Sequence, residues 1–211
     1  MVAFCCSIFV ILLRGHKCSG SCILLRQTVA VPPMMWRFLV ADDLHLDRFI
    51  IRDTDSRLTQ RDAAAVYAWV KSGKAFHCIR DHPSHAHYAI SGGMWGGKPQ
   101  ELNNILRTSW REMMNGSRAD YLEDMKFLNS VIWPKVQNDA YCSDSVSCLK
   151  YPASHPFPVP RHEYEHVGQV YSDQDLGRPG DIEILKQAGE NPNCTPHIFS
   201  KKRDFNRLMH E

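Results

Sequence analysis

The chain has eight cysteines but no C-x-x-C pair among them, which argues against a zinc ribbon or a thioredoxin-like redox motif. It also has no concentrated charge of either sign. The formal net charge is +2 and the basic residues are dispersed, whereas nucleic-acid binding needs a basic face. Nucleic acid is therefore not an expected partner, and the short cluster "KKRDFNR" at 201–207 reads as a solvated tail. The uncharged run "VAFCCSIFVILL" at 2–13 is twelve residues long. A bilayer crossing needs about 20. No internal repeat is present.

What is present is globular. Hydrophobic residues make up 44% of the 211, and 23% are charged, so the chain can bury a core. Residues 2–13 match a signal-peptide apolar region in length, yet no Lys or Arg precedes them. Membrane association through them, a core strand and a segment unrelated to the following domain all stay open. The expected organisation is an N-terminal hydrophobic segment and linker at 1–33, one domain at 34–175, and a loosely ordered extension at 176–211. The even cysteine count is compatible with secretion. Cys142 and Cys148 are close enough in sequence to bridge, and Cys78, in an apolar run, reads as a buried thiol. Asn115 and Asn193 begin N-x-S/T sequons, the second followed by Pro196; they matter only in the secretory route. A secretory, Golgi or membrane-associated location is favoured over the cytoplasm.

Local patterns predict an α/β fold. "WRFLV" at 36–40 is a short strand candidate, and "ADDLHLD" at 41–47 is turn-like. "RFII" at 48–51 is a strand apolar enough to be buried on both faces. Thr59 is placed to cap a helix over 60–72, with Asp62 at its third position and Gly73 just past its end. Val66, Trp69 and Val70 share one helical face. "KAFHCIR" at 74–80 is the next strand, and strand–turn–helix–strand is the α/β order. A polar loop at 81–99 precedes two helices, about 100–114 and 119–132. Trp110, Leu122, Phe127 and Trp133 are expected in the core, and Pro134 closes the second helix. "HVGQVY" at 166–171 is strand-like.

Three features can carry chemistry. Asp53 and Asp55 form D-x-D directly after a hydrophobic strand, where α/β sheets bind ligands. Two hard oxygen donors there suit Mg²⁺ or Mn²⁺ bridging to a diphosphate. The bland alternative is a polar turn with Arg52 and Arg57 as ion-pair partners. The loop "RDHPSHAH" gathers Asp81, His82, His85 and His87. Its spacing does not fix a zinc tetrahedron and better suits the lining of a substrate cleft. "HEYEH" at 162–166 sets His162 and His166 four apart, but reads as a solvated loop entering a strand. In "SGGMWGG" at 91–97, glycines permit close backbone approach, and Trp95 either stacks on a sugar ring or anchors a tight connection.

Taken together, "RFIIRDTDSRLTQRDAAAVYAWVKSGKAFHCIRDHPSH" followed by "GGMWGG" resembles a family of glycosyltransferase-like proteins. The likeness runs from about Trp36 to Trp133, with weaker echoes to about Tyr171. The family is similar to nucleotide-sugar transferases of the GT-A type. The resemblance implies a partial GT-A-like sheet with flanking helices, a nucleotide-sugar donor, and a glycan or lipid-linked acceptor. It implies Asp53 and Asp55 as metal and diphosphate ligands, with Arg52 and Arg57 steadying the loop or contacting phosphate. Arg80, Asp81 and His82 would line the donor or acceptor side, and Gly92, Gly93 and Trp95 would shape the acceptor pocket. Asp81, ending the next strand, is the first choice for a catalytic base. The sequence departs from the family in two places. Only 52 residues precede Asp53, so the nucleoside-binding half is expected to be incomplete. "QNDAYC" at 137–142 stands where such proteins carry a late histidine, for which His155 or His166 could substitute.

Two other readings share these residues. A haloacid-dehalogenase-type phosphohydrolase also begins with a strand and D-x-D, with Asp53 as nucleophile. Arg57 stands where that motif expects Thr, and no downstream Lys with paired aspartates is evident. The third reading is a non-catalytic remnant that binds a glycan or a protein partner.

Overall fold

The structure, a computed structural model, describes residues 2–5, 8–13, 31–188 and 191–194. The expected linker residues 14–30 and the basic cluster at 201–207 lie outside the described residues. The fold is mixed α/β, a sheet with flanking helices. The chain divides into two compact units that alternate along the sequence. The first comprises residues 1–54, 74–78 and 88–140, and the second 55–73, 79–87 and 141–211.

The first unit contains β1 (Val2–Cys5), β2 (Ile8–Leu13), β3 (Arg48–Asp53), the start of β4 (Phe76–Arg80) and β5 (Trp95–Gly97). The apolar run at 2–13 therefore forms a strand pair, and β2 continues onto β3 with Val10 opposite Ile51 and Leu12 opposite Phe49. The order is β1-β2-β3-β5-β4, and each of these neighbouring pairs is antiparallel. β3 is buried from Phe49 to Arg52; Phe49, Ile50 and Ile51 follow from the apolar run, whereas the burial of Arg52 does not.

β5 is a correction. "WGG" was expected inside a polar loop, because glycine is depleted in strands. Here Gly96 is needed for pairing, since a Cβ on it would come within 2.5 Å of the Phe49 carbonyl. "WRFLV" is a second correction. Residues Pro33–Asp42 form a 3₁₀ helix, with Met35, Phe38 and Leu39 buried. Proline at the first helical position presets the backbone for a helix, and the Trp36 indole N–H donates to the Val31 carbonyl at 2.8 Å. A short apolar run cannot separate buried helix from buried strand by periodicity.

The helices after β5 are shorter and more numerous than expected. They are α2 (Pro99–Leu106), α3 (Trp110–Met113), α4 (Glu123–Lys126), a π-helical stretch Phe127–Ile132, and α5 (Trp133–Val136). Pro134 does not close a helix; it sits in the first turn of α5, where its missing N–H costs nothing. Ser109 caps α3 in a full capping box, and the Asp42 carboxylate accepts from the Trp110 and Arg111 N–H groups at 2.7 and 3.0 Å. Trp110 and Phe127 are buried as expected, whereas Leu122 and Trp133 are only half-buried. The core is aromatic. Trp95 is fully buried, stacks on Phe38 and Trp110 (centroids 5.5 Å in each case) and meets Phe49 edge-on at 5.3 Å.

The second unit begins with α1 (Gln60–Ser72). The local signals hold: the Thr59 hydroxyl accepts from the Asp62 N–H, and Gly73 closes the helix at φ 73°. Its buried residues are Arg61, Asp62, Ala64, Ala65 and Trp69, so Val66 and Val70 flank the buried face. The last residues of β4, Ile79 and Arg80, belong to this unit, and β6 (Ala140–Asp144) is the next strand in order. "HVGQVY" forms turns and isolated bridges, Val170 with Ser56 and Tyr171 with Gly177, instead of a strand. The helix α6 (Pro179–Ala188) is regular structure within the segment expected to be loosely ordered. Cys148 is joined to Cys194, not to Cys142, while Cys78 and Cys142 are themselves disulfide-bonded rather than thiols.

Candidate functional site

In the first unit, β3 delivers Asp53 as its last residue. The carboxylate keeps 48% of its side-chain surface open and lies 3.7 Å from the Arg37 guanidinium. Arg37 also pairs with the buried Asp124 at 3.2 Å. The sequence reading missed both residues. Arg37 lay in the stretch read as a strand, and Asp124 is one acid among several at a helix start. Gly92 and Gly93 have clear work here. A Cβ on Gly93 would collide with the Asp53 carboxylate, and one on Gly92 would come within 2.6 Å of Arg37 and 2.8 Å of Asp124. Glycine is what allows this backbone to lie against the charged group.

Two other residues expected at the site are structural. Arg52 is buried, and its guanidinium donates to the Ile51 carbonyl at 2.7 Å and to the Trp95 carbonyl at 3.4 Å. The Trp95 indole N–H donates to the Gly92 carbonyl at 3.0 Å, and the ring lies wholly inside the aromatic core. A ring with no exposed face cannot stack on a sugar, so Trp95 acts as the anchor of a tight connection.

The second unit holds Asp55, which is exposed, and Arg57. Arg57 pairs with Asp175 at 2.9 Å and lies over the Tyr171 ring at 5.2 Å. Arg80 is buried, donates to Asp144 at 2.7 Å and packs its guanidinium over Tyr151 at 4.3 Å. Asp144 is further held by the Val146 and Ser147 N–H groups. Arg80 thus braces the end of β4 against β6.

Like Asp144, Asp81 is fully enclosed. It receives Arg61 at 2.8 and 2.9 Å, Arg161 at 2.9 Å, the Ser145 hydroxyl at 2.7 Å and the Val167 N–H at 3.0 Å. Burial by itself would raise its pKa, but the Arg61 guanidinium, then Arg161 and the Val167 N–H, hold it below the ordinary carboxylate value. A carboxylate offers about four lone-pair positions, and here five donors already fill them. Asp81 is therefore poorly suited to accept a substrate proton.

Beside it, His82 stacks on His166 with centroids 4.5 Å apart, and His85 lies 5.7 Å from His82. The His82 ring nitrogens contact the Ser84 hydroxyl at 2.7 Å and the Asp181 carbonyl at 3.1 Å. The Nδ1 atoms of His85 and His166 are buried without a hydrogen-bond partner. Burial first, and then neighbouring His82, depress His85 to about 4 and His166 to about 3. His166 is thus a core residue and not the solvated loop residue its sequence neighbourhood suggests. His155 stacks on Tyr141 at 4.1 Å. Among the described residues, no group of three or more His, Cys, Asp or Glu side chains could hold a metal ion.

No family model, no curated protein and no solved structure matches the chain.

Proposed function

We propose that the chain is a glycosyltransferase-like protein of the GT-A type, taking a nucleotide-diphosphosugar donor and a glycan or lipid-linked acceptor, with Mn²⁺ or Mg²⁺ at D-x-D. The observation that carries this reading is Asp53: a half-open carboxylate at the end of the buried strand β3, with Gly93 against it. The donor set fits the cation. Mg²⁺ is commonly held by one or two carboxylates together with substrate phosphates, so the half-open Asp53 carboxylate with the donor's phosphates is a compatible set. The cation would supply neutralisation of charge on the departing diphosphate. Arg57, on the surface, is the arginine free to exchange Asp175 for a phosphate, whereas Arg52 is committed to backbone carbonyls. Gly92 and Gly93 hold the backbone close to Asp53.

Calorimetry on the folded chain tests the reading. Heat on adding UDP is expected only with Mn²⁺ present and is expected to vanish in Asp53→Asn and Asp55→Asn. No heat with either, on a chain that unfolds cooperatively, would overturn it. Beryllofluoride binding that depends on Asp53 would instead favour the phosphohydrolase.

A non-catalytic remnant is the second reading. It is favoured by the burial of Arg80, Asp81, His82 and Trp95, which leaves the residues expected to face substrate engaged in holding the fold.

A further inference from the structure

We propose that Asn115 carries an N-linked glycan and that Asn193, which also begins a sequon, does not. Asn115-Gly116-Ser117 satisfies N-x-S with a residue other than proline in the middle. It lies just past α3, in a turn closed by the Asn115 N–H on the Glu112 carbonyl at 3.1 Å and the Ser117 N–H on the Met114 carbonyl at 2.9 Å. Gly116 adopts φ +83°, and the space where its Cβ would stand is empty. Asn115 and Gly116 are exposed, as are the next residues along the chain from Arg118 to Tyr121. Neither the Asn115 amide nor the Ser117 hydroxyl makes a side-chain hydrogen bond among the described residues. Both are therefore available to a transferase that must grip the amide and the hydroxyl together.

The second sequon is built differently. The Asn193 amide donates to Asn191 Oδ1 at 3.2 Å. Its middle residue, Cys194, is buried and bonded to Cys148. Pro196 follows directly after Thr195.

The disulfides supply the compartment. Cys148–Cys194 is formed, and Cys78 and Cys142 are also bonded. Such bonds persist in oxidising lumens and are rare in the cytosol. The lumen of the endoplasmic reticulum is also where N-glycans are attached. The modification is a substitution at carbon, with a lipid diphosphate-linked oligosaccharide as co-reactant. A C–N bond forms between Asn115 Nδ2 and the anomeric carbon of the oligosaccharide. The anomeric C–O bond to the lipid diphosphate breaks, the diphosphate leaves with the electron pair, and one amide proton is released.

This inference does not rest on the sugar-transfer reading, and the test shares no readout with it. The full chain, with its own N-terminus, is expressed in cultured human cells and treated with peptide N-glycosidase in heavy-oxygen water. The heavy isotope separates enzymatic release from the spontaneous deamidation to which Asn-Gly is prone. A gain in gel mobility is expected on treatment, with heavy oxygen incorporated at residue 115. The gain should be lost in Asn115→Gln and in Ser117→Ala, and kept in Ser117→Thr and Asn193→Gln. Resistance of the wild-type chain to the glycosidase would overturn the proposal. So would a mobility gain that disappears only in Asn193→Gln.

Discussion

Asp53 and Asp81 are two carboxylates in equivalent chain positions, one the last residue of β3 and the other directly after β4. Asp53 keeps nearly half its side chain open and faces an arginine at 3.7 Å. Asp81 is fully buried, and five donors converge on it. The carboxyl end of a strand is thus a place for a ligand-binding acid, but position alone does not assign the role. Solvent access assigns it. A carboxylate sealed from solvent organises its surroundings, while a half-exposed one such as Asp53 can still be reached by a ligand.

The comparison breaks first at Asp81. Replacing it by Ala leaves the buried Arg61 and Arg161 guanidinium groups without their shared anion, a loss of about 3–5 kcal/mol for breaking a buried pair. A fall of that size in denaturant stability is expected, and a change below about 1 kcal/mol would show that Asp81 is no anchor.

Acid sharpens the same contrast. His85 and His166 are held neutral in the folded chain, at about 4 and about 3, against an ordinary value of 6.5. The unfolded chain therefore binds more protons as pH drops below 6.5. The stability they contribute is complete above 6.5 and is lost progressively as pH falls through about 4 and about 3. The loss is on the order of a few kcal/mol. Asp81, also depressed, adds a loss of the same sign that begins as pH falls below its ordinary value of 3.8. Denaturation midpoints compared at neutral and mildly acidic pH measure it, and His166→Phe should flatten the profile.

The smallest effect is expected at Asp53. Asp53→Asn removes a partly exposed ion pair, worth about 0–1 kcal/mol, so its unfolding midpoint should stay close to wild type. A large destabilisation would mean that Asp53, like Asp81, is chiefly an anchor.

The legible parts of this fold are those written in neighbouring residues. The cap at Thr59, the Gly73 terminus of α1 and the buried run of β3 follow from local backbone chemistry and periodicity. Arg37 and Asp124 were hidden because their meeting depends on tertiary packing. So was the commitment of Asp81, whose arginine partners stand 20 and 80 residues away. The Cys148–Cys194 pairing spans 46 residues, and cysteine count alone cannot give connectivity. β5 was obscured by its own glycines, of which Gly96 is required by the Phe49 carbonyl and Gly97 by the Leu102 side chain rather than by a turn.

The Asp81 cluster also fixes an order of events in time. Arg61 precedes it by 20 residues, but the Val167 N–H follows by 86. During synthesis the carboxylate and its first guanidinium are both available long before the last donor leaves the ribosome. Chain elongation proceeds at about 5–20 residues per second, so this gap lasts on the order of seconds. The cluster can therefore close fully only late in translation, and until then Asp81 must remain hydrated or find temporary partners.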